Sequence, residues 1–242
     1  HDISGLSTIF DPDWIVHRTM NTIFHHSHYL DFHTHSMRET DRANVMEIVS
    51  LHLGKEKAHE YFTVGLHPWW IEQPVTLAQR KELELQLSDP MCLAMGEMGL
   101  DNLKGPAIEV QMDILRSQLK IADEVKKPVI IHCVRAFGQL SEIKKEFPGI
   151  EKWCVHGYGR HATLAKQLID QGFYLSLMPG LPPAKYASLL EALPIDRLFL
   201  ETDNMPDADI IGVYEAMASL ANLSVVELKE QMNNNAKAFF GI

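Results

Sequence analysis

Residues 107–134, AIEVQMDILRSQLKIADEVKKPVIIHCV, hold the passage that decides the fold class. Ile108, Met112, Leu115, Leu119 and Ala122 recur at helical spacing, which predicts an amphipathic helix over 107–126. Pro128 ends it, because proline lacks the N–H that the helix ladder needs and its ring clashes with the preceding turn. The run that follows, PVIIHCV, is continuously apolar and β-branched, as strands buried on both faces are. A helix feeding directly into a doubly buried strand is one step of a parallel sheet covered by helices.

The same alternation extends in both directions. Strand-like runs fall at 29–35, 43–51, 60–67, 92–98, 127–133, 152–157, 172–178 and 197–202. Pro and Gly sit between elements, as at Pro68, Gly105 with Pro106, Pro148 with Gly149, and Pro179 to Pro183. Eight strands alternating with helices favour an α/β fold, a (β/α)8 TIM barrel with room for distortion, over an open doubly wound sheet. The last helix opens with SVVE, where Ser224 and Glu227 fit a capping box, and runs toward Phe240. Residues 29–242 therefore read as a single barrel domain. Residues 1–28 fit no βα unit and read as an N-terminal extension in which Met20 is a candidate translation start.

Composition narrows the function classes. The chain of 242 residues is 46% apolar and 22% charged, ordinary for a globular protein, and holds no apolar run long enough to span a membrane. Its first residues lack the basic, apolar and small-residue order of a secretory leader, so a cytoplasmic location is expected. Cys92, Cys133 and Cys154 are odd in number and each falls in an apolar run, which predicts reduced, buried thiols. A net charge of −10 excludes a global basic footprint for nucleic acid. Action on a polyanion then requires local positive charge, which bound divalent metals supply.

In a TIM barrel, active-site groups stand at the C-terminal ends of the strands. Here the strand ends carry ligand-type residues repeatedly: His33 and His35 in DFHTHS, His67 in TVGLHPWW, Glu97 in AMGEMGLD, His132 in VIIHCV, His156 in WCVHGYG and Asp203 in LFLETD. The first pair alone decides nothing, since 13 histidines in 242 residues give about 0.7 His-x-His pairs by chance. His26 and His28 in the upstream HHSH are such a pair. A lone histidine at a strand end is more often a hydrogen-bonded structural residue, and Asp101 in GLDN and Asp203 both also fit the N-cap of a following helix. The recurrence at equivalent places is what carries the metal reading. Imidazole and carboxylate without thiolate suit Mg, Mn, Zn, Fe, Co or Ni. Four histidines and two carboxylates exceed what one tetrahedral ion needs, so two divalent ions with Glu97 as their bridge would use the whole set.

The ordered set DFHTHS, GLHPWW, GEMGLD, KPVIIHC, VHGYGR and LETD, spanning residues 29–203, resembles the TatD family of metal-dependent hydrolases in the amidohydrolase superfamily. NNNAKAFFGI at the end is similar to that family's close. The resemblance implies a distorted TIM barrel with one or two divalent metals and a deoxyribonuclease activity, chiefly 3′ exonuclease. It further implies that His33, His35 and Asp203 hold one metal, that His132 and His156 hold the other, and that Glu97 bridges. His67 would contact a substrate phosphate, Glu201 would lie near the reacting centre, and Asp203 would take the proton of a metal-activated water. The expected catalytic residues are thus Asp203, Glu97 and Glu201.

Two loops depart from the family. TDNMPDADIIGVYE is short and acidic where nuclease members carry TDAPYL and a basic RGKRNEP-like segment, and SLMPGLPPAKY lacks the usual TFKNA-like stretch. Replacement contacts to a phosphate would come from Arg135, Arg160, His161 or Lys104, with Trp69 or Trp70 stacking on a base. The expected partner is DNA ends or another phosphodiester, with no membrane and no obligate protein partner. The departures sustain an alternative, a dinuclear-metal hydrolase of a non-nucleic ester, amide or lactone. A non-catalytic metal- or partner-binding protein is the third reading, disfavoured by the completeness of the ligand set.

Overall fold

The computed structural model describes residues 23–35, 44–55, 61–205 and 207–242. Eight strands form one sheet in chain order, and each pairs in parallel with its neighbour. They are β1 (Tyr29–Thr34), β2 (Val45–His52), β3 (Phe62–Gly65), β4 (Cys92–Asp101), β5 (Val129–Val134), β6 (Trp153–Tyr158), β7 (Phe173–Leu177) and β8 (Leu198–Leu200). The described helices are α1 (Leu77–Leu87), α2 (Ile108–Val125), α3 (Phe137–Glu146), α4 (Ala162–Asp170), α5 (Pro183–Ala192), α6 (Ile210–Ala221) and α7 (Val225–Phe240). Where β8 returns to β1 the ladder shrinks to a single bridge, Thr34 with Asp203. The Asp203 amide donates to the His33 carbonyl at 2.9 Å and the His35 amide to the Asp203 carbonyl at 3.3 Å. The result is a nearly closed, distorted TIM barrel.

Two apolar layers hold it. The barrel interior is filled by alternate strand residues, among them Leu30, Phe32, Ile48, Ile130, Tyr174 and Phe199. Phe239 joins this cluster from the end of α7, and Phe32 stacks on Phe199 with ring centroids 3.8 Å apart. The outer layer lies between strands and helices and takes Leu115, Leu119 and Ala122 from α2. The capping box of Ser224 and Glu227 forms as expected. Residues 23–28, read as part of an extension, pack on α7 instead. Phe24 is buried with its ring 5.5 Å from Phe240, Lys229 donates to the Ser27 carbonyl and Asn233 to the His28 carbonyl. Residues 1–22 lie outside the described part.

The helix that decides the fold differs in one instructive respect. Its buried stripe includes Gln111 and Gln118, seven residues apart. Gln118 accepts from the Leu66 amide at 2.8 Å and donates to the Leu66 carbonyl at 3.0 Å. Gln111 accepts from the Asp101 amide and donates to the carbonyls of Asp101, Lys104 and Pro106. Each buried amide thus satisfies loop backbone that would otherwise be orphaned, and pins the ends of β3 and β4 where the site is built. β4 runs three residues past its expected end at 98, to Asp101. Gly99 permits this: a Cβ there would stand 1.9 Å from the His132 carbonyl oxygen.

Candidate metal centre

Three of the four register shifts, at Asp31/Thr34, Met95/Met98 and Val155/Tyr158, span a residue of the candidate site, His33, Glu97 and His156, and the fourth falls at Phe62/Thr63. Such irregularities re-aim side chains, and here they help turn the strand ends toward one point. That point is Glu97, which is 5% exposed. Its Oε1 lies 3.0 Å from His67 Nε2, 3.0 Å from His132 Nδ1 and 2.8 Å from His156 Nε2. Its Oε2 lies 3.5 Å from His33 Nε2 and 3.2 Å from His35 Nε2. Asp203 Oδ1 is 3.3 Å from His35 Nε2 and 3.8 Å from His33 Nε2. Glu97 thus meets imidazoles on both of its oxygens, with His33 and His156 stacked at 4.0 Å where the two sides adjoin. All six residues expected to hold metal are brought together, and His67 joins them on the Oε1 side.

The charges of these residues follow from this crowding. Burial opposes ionisation of Glu97, but the charge of His156 and hydrogen bonds from His132, His156 and His33 outweigh it and hold the carboxyl well below its usual range. Burial likewise opposes protonation of His35, yet Asp203 and Glu97 raise its pKa to about 9. His156 is raised well above its ordinary value because Glu97 and Glu201 overcome burial. Asp203 falls to about 2, with burial outweighed by His35 and the charges of His156 and His33. His33 and His67 are lowered, chiefly by burial.

The donors fit divalent cations. Glu97 Oε2 and both oxygens of fully buried Glu201 accept no well-aligned hydrogen bond among the described residues, their nearest groups being His35 and His33 at 3.2 and 3.5 Å and His156 at 3.5 Å. Buried carboxylate oxygens left so are costly unless a cation joins them. Four sets of donor atoms lie close enough to share an ion: His33 with Glu97 and His156, His33 with His35 and Asp203, His67 with Glu97 and His132, and His156 with Glu201 and Asp203.

The capping role open to Asp101 and Asp203 is not what they do. Asp209 caps α6, and the N-cap of α2 is Ala107, which offers no side-chain cap. Asp101 is buried, accepts from Trp69 Nε1 at 2.8 Å and from the Leu103 amide at 2.8 Å, and lies 3.0 Å from His132 Nε2. Burial disfavours its charge, but the hydrogen bonds of His132, Leu103 and Trp69 prevail and lower its pKa. A carboxylate behind an imidazole fixes the tautomer that faces a metal. Sequence reasoning missed this, along with Gln111 and Gln118, although two glutamines at helical spacing on an apolar face were a usable signal.

The expected substrate contacts are divided. A cleft of about 350 Å³ over the candidate metal groups is lined by His67, Trp69, Trp70, Met178, Asn204 and Cys133 together with every expected ligand except His33. Arg135 and Arg160 are exposed and do not line it. His161 instead caps α4 through Nδ1, and Lys104 lies over the Trp69 ring at 3.5 Å. None of the three cysteines forms a disulfide: Cys92 and Cys154 are buried as expected, whereas Cys133 is partly exposed on the cleft wall, and burial pushes the thiol of Cys154 well up and that of Cys133 to about 12.

A barrel whose C-terminal mouth gathers imidazoles and carboxylates around one buried glutamate has the build of a metal-dependent hydrolase. Residues 39–241 match the family model described as TatD related DNase, and the chain belongs to that family. The metal-dependent hydrolase YabD of Bacillus subtilis, named as uncharacterized, is 31% identical over 208 residues, 75% of this chain and 78% of that protein. A protein of Erwinia amylovora named 3′-5′ ssDNA/RNA exonuclease TatD is 26% identical over 224 residues, 80% of this chain and 83% of its own length. The crystal structure of the TatD homologue YjjV from Escherichia coli superposes with a TM-score of 0.74 at 22% identity, covering 90% of this chain and all of that one. Among the described residues, no single helix is long and apolar enough to cross a membrane.

Proposed function

We propose that this chain is a deoxyribonuclease that removes nucleotides from 3′ ends by hydrolysing phosphodiester bonds with a metal-activated water. The observation that carries the reading is the convergence of donors on Glu97: His33 and His35 lie at Oε2 with Asp203 beside them, and His67, His132 and His156 lie at Oε1. Two divalent ions held there, with Glu97 between them, would supply Lewis acidity and lower the pKa of a water toward neutrality. The exonuclease name of the Erwinia relative supports a nucleic-acid substrate.

The chain's own groups do the rest. Asp203 is ionised at neutral pH and one quarter exposed to the cleft, which suits it to take the proton of the attacking water. Glu201, fully buried, holds His156 from behind at 3.5 Å. His67 lines the cleft beside Glu97 and is placed to meet a phosphate oxygen. The described lining contains no Lys or Arg, which favours the second reading, hydrolysis of a non-nucleic ester, amide or lactone.

Digestion of end-labelled single-stranded DNA in Mg²⁺ or Mn²⁺, with Asp203→Asn as control, tests the proposal. Stepwise shortening from the 3′ end should fall by at least about 10²-fold in the variant. Near-wild-type rates in metal-replete variant would remove Asp203 as the base. No cleavage by the metal-loaded wild type would transfer the function to the second reading.

A further inference from the structure

Eight large apolar side chains are exposed among the described residues, and four of them, Trp70, Leu103, Met178 and Met205, follow the C-terminal ends of strands β3, β4, β7 and β8. Two of these four, Trp70 and Met178, line the cleft over the metal groups. β3 and β7 are four strands apart in a closed order of eight, so their loops rise on opposite sides of the mouth. Trp70 is 60% exposed and Met178 38%, whereas the neighbouring Trp69 is held by Asp101 and covered by Lys104. The Trp70 indole meets the rings of His67 at 4.8 Å, His52 at 5.2 Å and Trp69 at 6.3 Å on its protein side, and the rest of it stays open. An exposed indole and a thioether lining one cleft, carried by loops on opposite sides of the mouth, suit a flat ring, which stacks on the one and meets the polarizable sulfur of the other.

Size and charge say how much of a substrate is gripped. About 350 Å³ is near the lower end of ligand pockets, which run from roughly 300 to 1,000 Å³. No described Lys or Arg lines the cleft to follow a strand of phosphates. The geometry points to a one-ring subsite: Trp70 and Met178 clamp the single planar group next to the scissile bond, the terminal base of a nucleic acid, and the rest of the strand contributes little. This rests on the nuclease reading and gives its substrate class, the chain end rather than the chain.

Steady-state kinetics of wild type, Trp70→Ala, Trp70→Phe and Met178→Ala on a deoxydinucleotide and a decadeoxynucleotide test it. Trp70→Ala should raise KM by about 5- to 150-fold, the range of one lost stacked base, with kcat retained. Trp70→Phe should recover most of the loss, Met178→Ala should show a smaller increase of the same kind, and the two substrates should share one KM. An unchanged KM in Trp70→Ala, or a KM that falls steeply with strand length, would overturn the clamp while leaving the nuclease reading intact. The same variants assayed on bis(4-nitrophenyl) phosphate separate the other failure: turnover of this small diester but of no DNA removes the nuclease reading, and Trp70-dependent KM there still supports the clamp. Calorimetric titration of metal-loaded protein with dAMP gives a readout independent of turnover, in which binding that Trp70→Ala does not weaken, or no binding, overturns the proposal.

Discussion

His132 Nε2 stands 3.0 Å from Asp101 Oδ2, on the side of the ring away from Glu97. The imidazole can therefore face the metal groups only through Nδ1, which lies 3.0 Å from Glu97 Oε1. Trp69 and the Leu103 amide hold Asp101 in turn, so a loop tryptophan steers a strand histidine through one carboxylate.

Removing that carboxylate should weaken metal binding on one side of Glu97 only. Asp101→Ala is expected to lower affinity at the His132 side by about 10- to 100-fold, with the His33 side retained. Calorimetric titration with Mn²⁺ checks this, and two unchanged binding steps would show that His132 keeps its orientation without Asp101.

Metal binding should release protons at neutral pH. His35 has its pKa raised to about 9 in the metal-free site, and His156 is raised well above its ordinary value, yet both must be neutral to ligate. Apparent affinity should therefore climb with pH toward about 9, and roughly two protons should leave per protein at pH 7. Titrations in buffers of different ionisation enthalpy count them. The same raised pKa means that protonated His35 stabilises the metal-free fold below pH 6.5, and that this contribution is lost as pH rises through about 9.

Asp31 predicts an opposite substitution effect. Burial lifts its pKa from 3.8 to about 7, against hydrogen bonds from the Thr202 amide and hydroxyl. Between those values the folded state binds the extra proton, so its contribution falls as pH rises from 3.8 to about 7 and remains unfavourable above. In metal-free protein, Asp31→Asn should raise the melting temperature at pH 8 and change it little at pH 4. Parallel pH curves for variant and wild type would contradict this.

Gly99 should not accept a side chain. Its φ is +158°, and a Cβ would sit 1.9 Å from the His132 carbonyl oxygen, against backbone that cannot yield as a side chain can. Gly99→Ala should cost about 1–3 kcal/mol or more in urea unfolding and disturb the His132 side of the site. A variant as stable as wild type with normal metal binding would show that β4 and β5 can separate locally.

What chain order alone established was periodicity and chemistry. The stripe of α2 and the doubly buried run after Pro128 could be read from 107–134 because helical and strand periods differ, and the recurrence of His, Glu and Asp at strand ends pointed, without any coordinates, to the residues that the fold brings together as candidate metal groups. TatD membership was likewise legible, since motif order survives in sequence. Roles set by contacts between distant residues were not. Asp101 read as a helix cap because a carboxylate after a strand suits that duty locally, and only the approach of β5 and the β3 loop made it the partner of His132 and Trp69. Gln111 and Gln118 had no local signal that assigned them a role, which came only when β3 and β4 supplied the backbone they satisfy. Which of two adjacent tryptophans is free, and that Met178 stands across the mouth from it, depended on closure of the sheet. Periodicity is a local property of the chain, whereas hydrogen-bond partners and cleft walls come from packing between segments far apart in sequence.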